Sequence, residues 1–239
     1  MASVKLNTRD QGGGSYCVVG GRLIATAITL RPILRLAYRA STGPLLDYQL
    51  IGAPGWIDKD RFDIDAKPEG EPHRISRAQM QLLVQSLLAD RFNLKAHVEV
   101  RELPVYDLIV VKDHFKIRLS EDQTPPMPME APDSGDRGSY TSRVDQSGVT
   151  ISARAIPIST FVRGLQSHVD LVILDKTNLN GLFDVDLKFS TSLTTAASTP
   201  DAAPALATAV EEQLGLKLES ARGPVKVLVI DSVSKPTEN

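Results

Sequence analysis

The spacing of hydrophobic positions changes several times along the chain, and each change indicates a new element. Apolar and polar side chains alternate over residues 22–28, which predicts a strand. A helical spacing follows across residues 29–40, carried by Leu30, Ile33, Leu34 and Ala37. The clearest amphipathic pattern begins at Ser76, and Ser76 with Gln79 has the spacing of a capping box. The first half therefore contains at least one strand and two helices.

The second half shows the same order of patterns. Helices are predicted over residues 159–168 and 205–214, the second ending at Gly215. Each half closes with two apolar runs that predict a strand pair, residues 94–102 with 105–112 and residues 216–219 with 225–233. The order β-α-β-β-α-β-β in each half predicts an α+β fold with mainly antiparallel sheets.

Three blocks of sequence occur twice, in the same order and at a nearly constant offset. They are RFDIDAK at 61–67 with LFDVDLK at 182–188, NLK at 93–95 with GLK at 215–217, and PVYDLIV at 104–110 with PVKVLVI at 224–230. Such recurrence predicts two repeated modules, each a small antiparallel sheet with two helices. We expect a first module at 1–118, a Pro-rich linker at 119–139, and a second module at 140–239 with a mobile loop at 190–204.

Composition fits a globular chain and argues against several classes of function. Lys and Arg number 27 against 29 Asp and Glu, so binding to nucleic acid through phosphate neutralisation is not expected. No apolar run is long enough to span a membrane, and the start of the chain lacks the pattern of a signal peptide. Cys17 is the single cysteine; we expect it to be a small buried side chain in a strand.

Four carboxylates lie within eight residues, at Asp58, Asp60, Asp63 and Asp65. Ca²⁺ prefers such oxygen ligands, so one hypothesis is a calcium site, although the spacing is not that of an EF-hand. The alternative is structural, with Phe62 and Ile64 facing the core and the carboxylates facing solvent. The same acidic pair returns at Asp184 and Asp186, which favours the structural interpretation.

Two histidines and one tryptophan are further candidates. His97 lies in a predicted strand with Glu99 on the same face, which makes it the first candidate for a catalytic base, and His168 is the second. Trp56 follows a Gly/Pro turn and could either stack on a ligand or cover the core. The chain contains neither a nucleophile elbow nor a phosphate-binding loop.

Several blocks together resemble a known family: GRLIAT at 21–26, GAPGW at 52–56, DRFDIDAK at 60–67, DKTNLNG at 175–181 and GPVKVLVID at 223–231. They are similar to DUF3738, a family of uncharacterised proteins abundant in soil Acidobacteria. Its members are usually exported, so the resemblance implies a periplasmic or extracellular protein. It implies no activity and no site residues.

Two functions remain open at this stage. Each half loosely resembles the small βαβ modules of outer-membrane secretins and TonB-dependent receptors, which bind partners. This resemblance implies an exported binding or assembly module of the bacterial envelope, whose partner is another envelope protein or a small neutral ligand. The alternative is a Ca²⁺-dependent hydrolase of small esters or lactones, with the acidic cluster holding the metal and His97 or His168 acting as base.

Overall fold

A computed structural model describes residues 2–8, 13–39, 43–68, 75–111, 115–126, 136–190 and 204–236. The fold is α+β, and its sheets are mainly antiparallel, which confirms the predicted fold class at that level. All but the ends of the loop predicted at 190–204 lies outside the described residues, as do residues 127–135 of the predicted linker.

The helices in the described part of the chain are α1 (Leu30–Ala37), α2 (Arg77–Phe92), α3 (Ile158–Leu165) and α4 (Leu206–Leu214). The strands are β1 (Ala2–Asn7), β2 (Ser15–Val19), β3 (Arg22–Ile28), β4 (Leu50–Ile51), β5 (Arg61–Ala66), β6 (Lys95–Val110), β7 (Arg118–Leu119), β8 (Tyr140–Asp145), β9 (Gly148–Pro157), β10 (Val172–Asp175), β11 (Leu182–Phe189) and β12 (Leu216–Ser232).

The chain divides into two compact units, one formed by Met1–Arg101 with Val225–Asn239 and the other by Glu102–Pro224. The long strands β6 and β12 contribute residues to both units. In the first unit β4 pairs in parallel with the end of β12, and in the second β10 pairs in parallel with the end of β6. Each unit has its own hydrophobic core.

The first unit is built on an antiparallel sheet in the order β1-β5-β3-β2. The inward residues of β3 and β5 pack with α1 and α2 in one core, whose largest members include Phe62 and Phe92. Helix α2 begins as predicted, because the Ser76 hydroxyl accepts the Gln79 N–H and the Gln79 side chain accepts the Ser76 N–H.

The second unit is built on an antiparallel sheet in the order β7-β11-β9-β8. Its core joins the inward face of this sheet to α3 and α4, and Phe161 and Phe183 are its largest fully buried side chains. Gly215 ends α4 in the left-handed conformation, with φ at 67°, as the sequence predicts.

Each of these two antiparallel sheets contains a β-bulge at an alanine in the left-handed region. Ala27 in β3 has a φ of 49° and Ala155 in β9 has a φ of 50°, which costs an L-residue about 1–2 kcal/mol. An aspartate on the neighbouring strand compensates in each case. The Ala27 N–H donates to Asp63 Oδ1 at 2.8 Å, and the Ala155 N–H donates to Asp184 Oδ1 at 2.8 Å.

The strand pairs predicted at the end of each half are wrong. Residues 95–110 form the single strand β6, which continues through Pro104, and residues 216–232 form the single strand β12, which continues through Pro224. Proline fixes φ near −65° and favours an extended residue before it, so it removes one hydrogen-bond donor without forcing a turn.

Candidate functional site

The acidic segment adopts the alternation that its sequence predicts. Phe62 and Ile64 are buried in the first core, while Asp63 and Asp65 lie on the opposite face of β5. Asp58 lies in the short 3₁₀ turn that precedes this strand, and Asp60 follows the turn. The alternation therefore explains why apolar and acidic residues are interleaved here.

The structure gives each of the four carboxylates its own partner. Asp58 accepts two hydrogen bonds from Arg31, at 2.5 and 2.6 Å, and Asp65 accepts two from Arg22, at 2.7 and 2.5 Å. These hydrogen bonds are the main reason why the pKa of each carboxyl lies below its usual range.

The other two aspartates are held by different groups. Asp60 pairs with Lys235 at 2.5 Å, and Asp63 accepts from the Asn7 amide at 2.9 Å as well as from the peptide of the bulge. The four carboxylates proposed as calcium ligands do not converge on one point. Across the ranges that the structure describes, no three His, Cys, Asp or Glu side chains form a group able to hold a metal ion.

His97 pairs with a carboxylate in the first unit. Its Nδ1 lies 3.0 Å from Asp231 Oδ2, and its Nε2 lies 3.9 Å from Glu99 Oε2. The hydrogen bond with Asp231 and the charge of that carboxylate raise the pKa of His97. The imidazole is half exposed on its strand. The hydrogen bond with Asp231 therefore orients the His97 ring, but both side chains face water.

We expect Asp231→Asn to lower the pKa of His97 towards its ordinary value, because it removes the partner with the largest effect. The measurement is an NMR titration of the His97 ring protons. Glu99→Gln is the matched control and should lower the pKa less, because Glu99 acts only through its charge at a longer distance. A larger change in Glu99→Gln than in Asp231→Asn would contradict the arrangement.

His168 lies in the second unit, at the end of a 3₁₀ turn that follows α3. The buried Gln166 fixes this turn, because its amide donates to the Leu171 carbonyl and its side-chain oxygen accepts the Ile173 N–H, both at 2.9 Å. The imidazole packs edge-on against Phe189, with 5.2 Å between ring centroids. Burial lowers the pKa of His168.

Trp56 packs against the first core rather than standing free. Its ring contacts Phe62 edge-on, with 6.2 Å between centroids, and Lys235 lies 6.0 Å from the ring centre. This contact is the one expected of an aromatic side chain that covers the core. Part of the Trp56 surface stays accessible. Stacking of a ligand on this surface therefore stays a prediction.

The structure reveals one surface that the sequence interpretation missed. Strand β2 is the edge of the first sheet, and all five of its residues are exposed, including Cys17. The expectation of a buried Cys17 is wrong, because the described residues leave the side chains on both faces of β2 exposed. No local signal marks this edge: SYCVV contains no charge and no proline, the residues that usually protect an edge strand, and glycines flank it on both sides.

The comparison with protein families decides where the chain belongs. A family model described as a protein of unknown function, DUF3738, matches residues 31–233. The chain is a member of DUF3738. No curated protein and no solved structure matches it.

The DUF3738 match includes some of the features described above and leaves out others. It extends from α1 to the end of β12 and so contains Asp58, His97 and His168, whereas β2 precedes it. In the ranges that the structure describes, none of the helices has the length and apolar character needed to cross a bilayer.

Proposed function

We propose that this DUF3738 protein is an exported binding or assembly module of the bacterial envelope, and that it captures an extended partner segment by strand addition at β2. The observation that carries the proposal is that, among the strands that the structure describes, β2 lies at the edge of its sheet and pairs with β3 alone. An edge strand offers unpaired backbone N–H and C=O groups, and natural proteins usually protect such edges with charges, prolines or bulges. Strand β2 is uncharged, lacks proline and is exposed throughout.

The side chains of β2 indicate what such a partner would look like. Tyr16 and Val18 project to one side of the strand, and Cys17 and Val19 to the other. The exposed fractions are 42% for Tyr16, 39% for Val18 and 66% for Val19. A partner strand with β-branched or aromatic residues would bury these side chains through cross-strand pairs. An uncharged, extended apolar segment is therefore the favoured partner.

We infer in addition that the chain arose from two copies of one module. Three features support this: the matching sheet orders, the bulged alanine in β3 and in β9, and the aspartate that accepts the N–H of each bulge. Both aspartates lie in sequence blocks that recur, RFDIDAK and LFDVDLK. In this proposal the modules are residues 1–118 and 140–239, and the strands β6 and β12 end them.

Hydrolysis of small esters or lactones with Ca²⁺ is the alternative proposal, and the geometry favours it less. The carboxylates assigned to the metal are engaged with Arg31, Lys235, Arg22 and the bulge peptide. A cation would have to displace these partners to bind. Of the two candidate bases, His97 belongs to the first unit, as the acidic cluster does, and His168 belongs to the second.

The test of strand addition uses peptides selected from a random phage-displayed library on the wild-type protein. We expect uncharged peptides with alternating β-branched residues, and we expect Val19→Lys to weaken their binding by about tenfold or more, because a charge on the edge disfavours pairing. Fluorescence polarisation of the labelled peptide measures the affinity. A photocrosslinker attached to Cys17, the single cysteine, then shows whether the peptide lies on β2.

Leu82→Lys is the matched control. Leu82 is a highly exposed apolar residue on α2, so the same change of charge is made away from the edge, and it should leave peptide binding unchanged. Selected peptides that bind Val19→Lys as tightly as the wild type would contradict the proposal. So would a failure to enrich any peptide on the wild type beyond the level reached on Val19→Lys.

A further inference from the structure

A cavity of about 460 Å³ opens in the second unit beside His168. Val149, Phe189 and Leu206, which belong to the second core, form its buried wall. Tyr106 and Leu218 form half-buried sides. The volume lies within the range of about 300–1,000 Å³ that is typical of small-molecule sites. The cavity therefore combines a buried apolar wall with room for a ligand.

The polar side chains in the lining are Ser167, His168, Asp170 and Ser190, and His168 is the one whose ring packs against the apolar wall at Phe189. His168 lines the cavity, and its orientation is fixed by the turn that Gln166 holds and by the edge-on contact with Phe189. Its Nε2 lies 3.5 Å from the Ser142 hydroxyl. Because burial disfavours the charged form of the ring, the neutral imidazole offers one donor and one acceptor.

We propose that this cavity binds an uncharged, mainly apolar small molecule that carries one hydroxyl or carbonyl group, with His168 as its hydrogen-bond partner. The apolar walls favour an alkyl or ring body. The one carboxylate in the lining is the exposed Asp170, and none of the described lining residues is a lysine or an arginine. An anionic ligand would therefore meet a like charge and no compensating cation. This proposal does not depend on strand addition at β2.

The test compares three eight-carbon probes that differ only in their polar group: octan-1-ol, octanoate and octylamine. Isothermal titration calorimetry measures their binding to the full chain at neutral pH. We expect octan-1-ol to bind, and octanoate to bind at least about tenfold more weakly, because its carboxylate would lose hydration against the apolar walls and would also meet the charge of Asp170. Octanoate or octylamine binding more tightly than octan-1-ol would overturn the assignment to uncharged ligands.

Two variants locate the binding site. Ala207→Trp fills the cavity from the exposed side of α4 and should abolish octan-1-ol binding. Thr208→Trp, the adjacent position outside the lining, is its matched control and should bind like the wild type. His168→Phe keeps the aromatic contact and should weaken octan-1-ol binding by about two- to tenfold, the value of one neutral hydrogen bond.

The results that would overturn the site are equally specific. No measurable heat with octan-1-ol would show that the cavity takes no such ligand. Binding that survives Ala207→Trp unchanged would place the alcohol elsewhere on the protein. Octan-1-ol binding that is unaffected by His168→Phe would contradict the assignment of His168 as the hydrogen-bond partner of the ligand. Circular dichroism of each variant confirms that the fold is retained before binding is interpreted.

Discussion

Replacing Phe62 with alanine is expected to lower the free energy of unfolding by about 3–5 kcal/mol, the usual cost of removing a buried aromatic ring. Phe62 is fully buried and contacts two other rings edge-on, Phe92 at 5.2 Å and Trp56 at 6.2 Å between centroids. Its removal leaves a cavity that these neighbours can fill only in part. Urea unfolding followed by Trp56 fluorescence measures the loss of stability in the first unit, because Trp56 is the single tryptophan and packs against Phe62.

Two further variants keep this expectation testable. Phe62→Leu retains most of the side-chain volume and should lose less stability, so it gives a value even if the alanine variant does not fold. Leu82→Ala removes an exposed apolar side chain and should change stability by no more than about 0.5 kcal/mol. A loss in Phe62→Ala as small as that of Leu82→Ala would contradict the placement of Phe62 in the core.

Asp63→Ala and Asp184→Ala should each lower the free energy of unfolding by about 2–3 kcal/mol, because each removes a charged acceptor and leaves a buried peptide N–H unsatisfied. The N–H groups belong to Ala27 and Ala155, which are 6% and 1% exposed. Asp65→Ala is the matched control for Asp63→Ala, because both residues lie in β5. It removes only an exposed ion pair with Arg22, and its effect should be far smaller.

The same variants separate the structural role from calcium binding. If Asp63 holds the bulge, then Asp63→Ala loses the same stability with Ca²⁺ as with a chelator. If it is a calcium ligand, wild-type stability rises with Ca²⁺ and the variant loses that increment, by mass action. Thermal unfolding of both proteins under both conditions distinguishes these results. A loss seen only in the presence of Ca²⁺ would contradict the bulge interpretation and support the hydrolase alternative.

Acid should reveal the contribution of Asp184. Burial raises the pKa of this carboxyl, but the hydrogen bonds from Ser120 and Ala155, with the charges of Arg154 and Arg118, outweigh burial and hold the pKa below its usual range. A depressed pKa in the folded state stabilises the protein above the unfolded-state pKa, and that stability is lost as the pH falls through the folded-state pKa. The advantage of the wild type over Asp184→Ala should therefore shrink below about pH 4.

Local patterns predicted much of the fold because they depend on neighbouring residues. The alternation in β3 and β5 and the capping box of α2 are properties of a few consecutive positions. The breaks predicted between residues 102 and 105 and between residues 219 and 225 are absent from β6 and β12, which continue through Pro104 and Pro224, because a proline in an extended strand and a proline in a turn share nearly the same φ. Only the pairing of distant residues distinguishes the two, and a local pattern contains no such information.

The candidate sites were less accessible to sequence reasoning for the same reason. The partner that raises the pKa of His97 is Asp231, and the partner of Asp60 is Lys235; both lie far along the chain. The exposure of Cys17 depends on whether other elements cover the faces of β2, and a local pattern does not specify this. The cavity beside His168 is formed by residues from several elements, so no short motif marks it.

The placement of β2 also has a consequence for synthesis on the ribosome. Strands β2 and β3 pair from Val19↔Arg22 outward, so this hairpin can close within about 1–10 μs of its emergence. The next strand of the sheet, β5, begins at Arg61 and emerges seconds later at about 5–20 residues per second. The nascent chain can thus form this hairpin, in which β2 is uncharged, before any core exists to stabilise it, and a lone two-stranded hairpin is at best marginally stable in water. A partner that binds this edge could meet the protein while it is still being made.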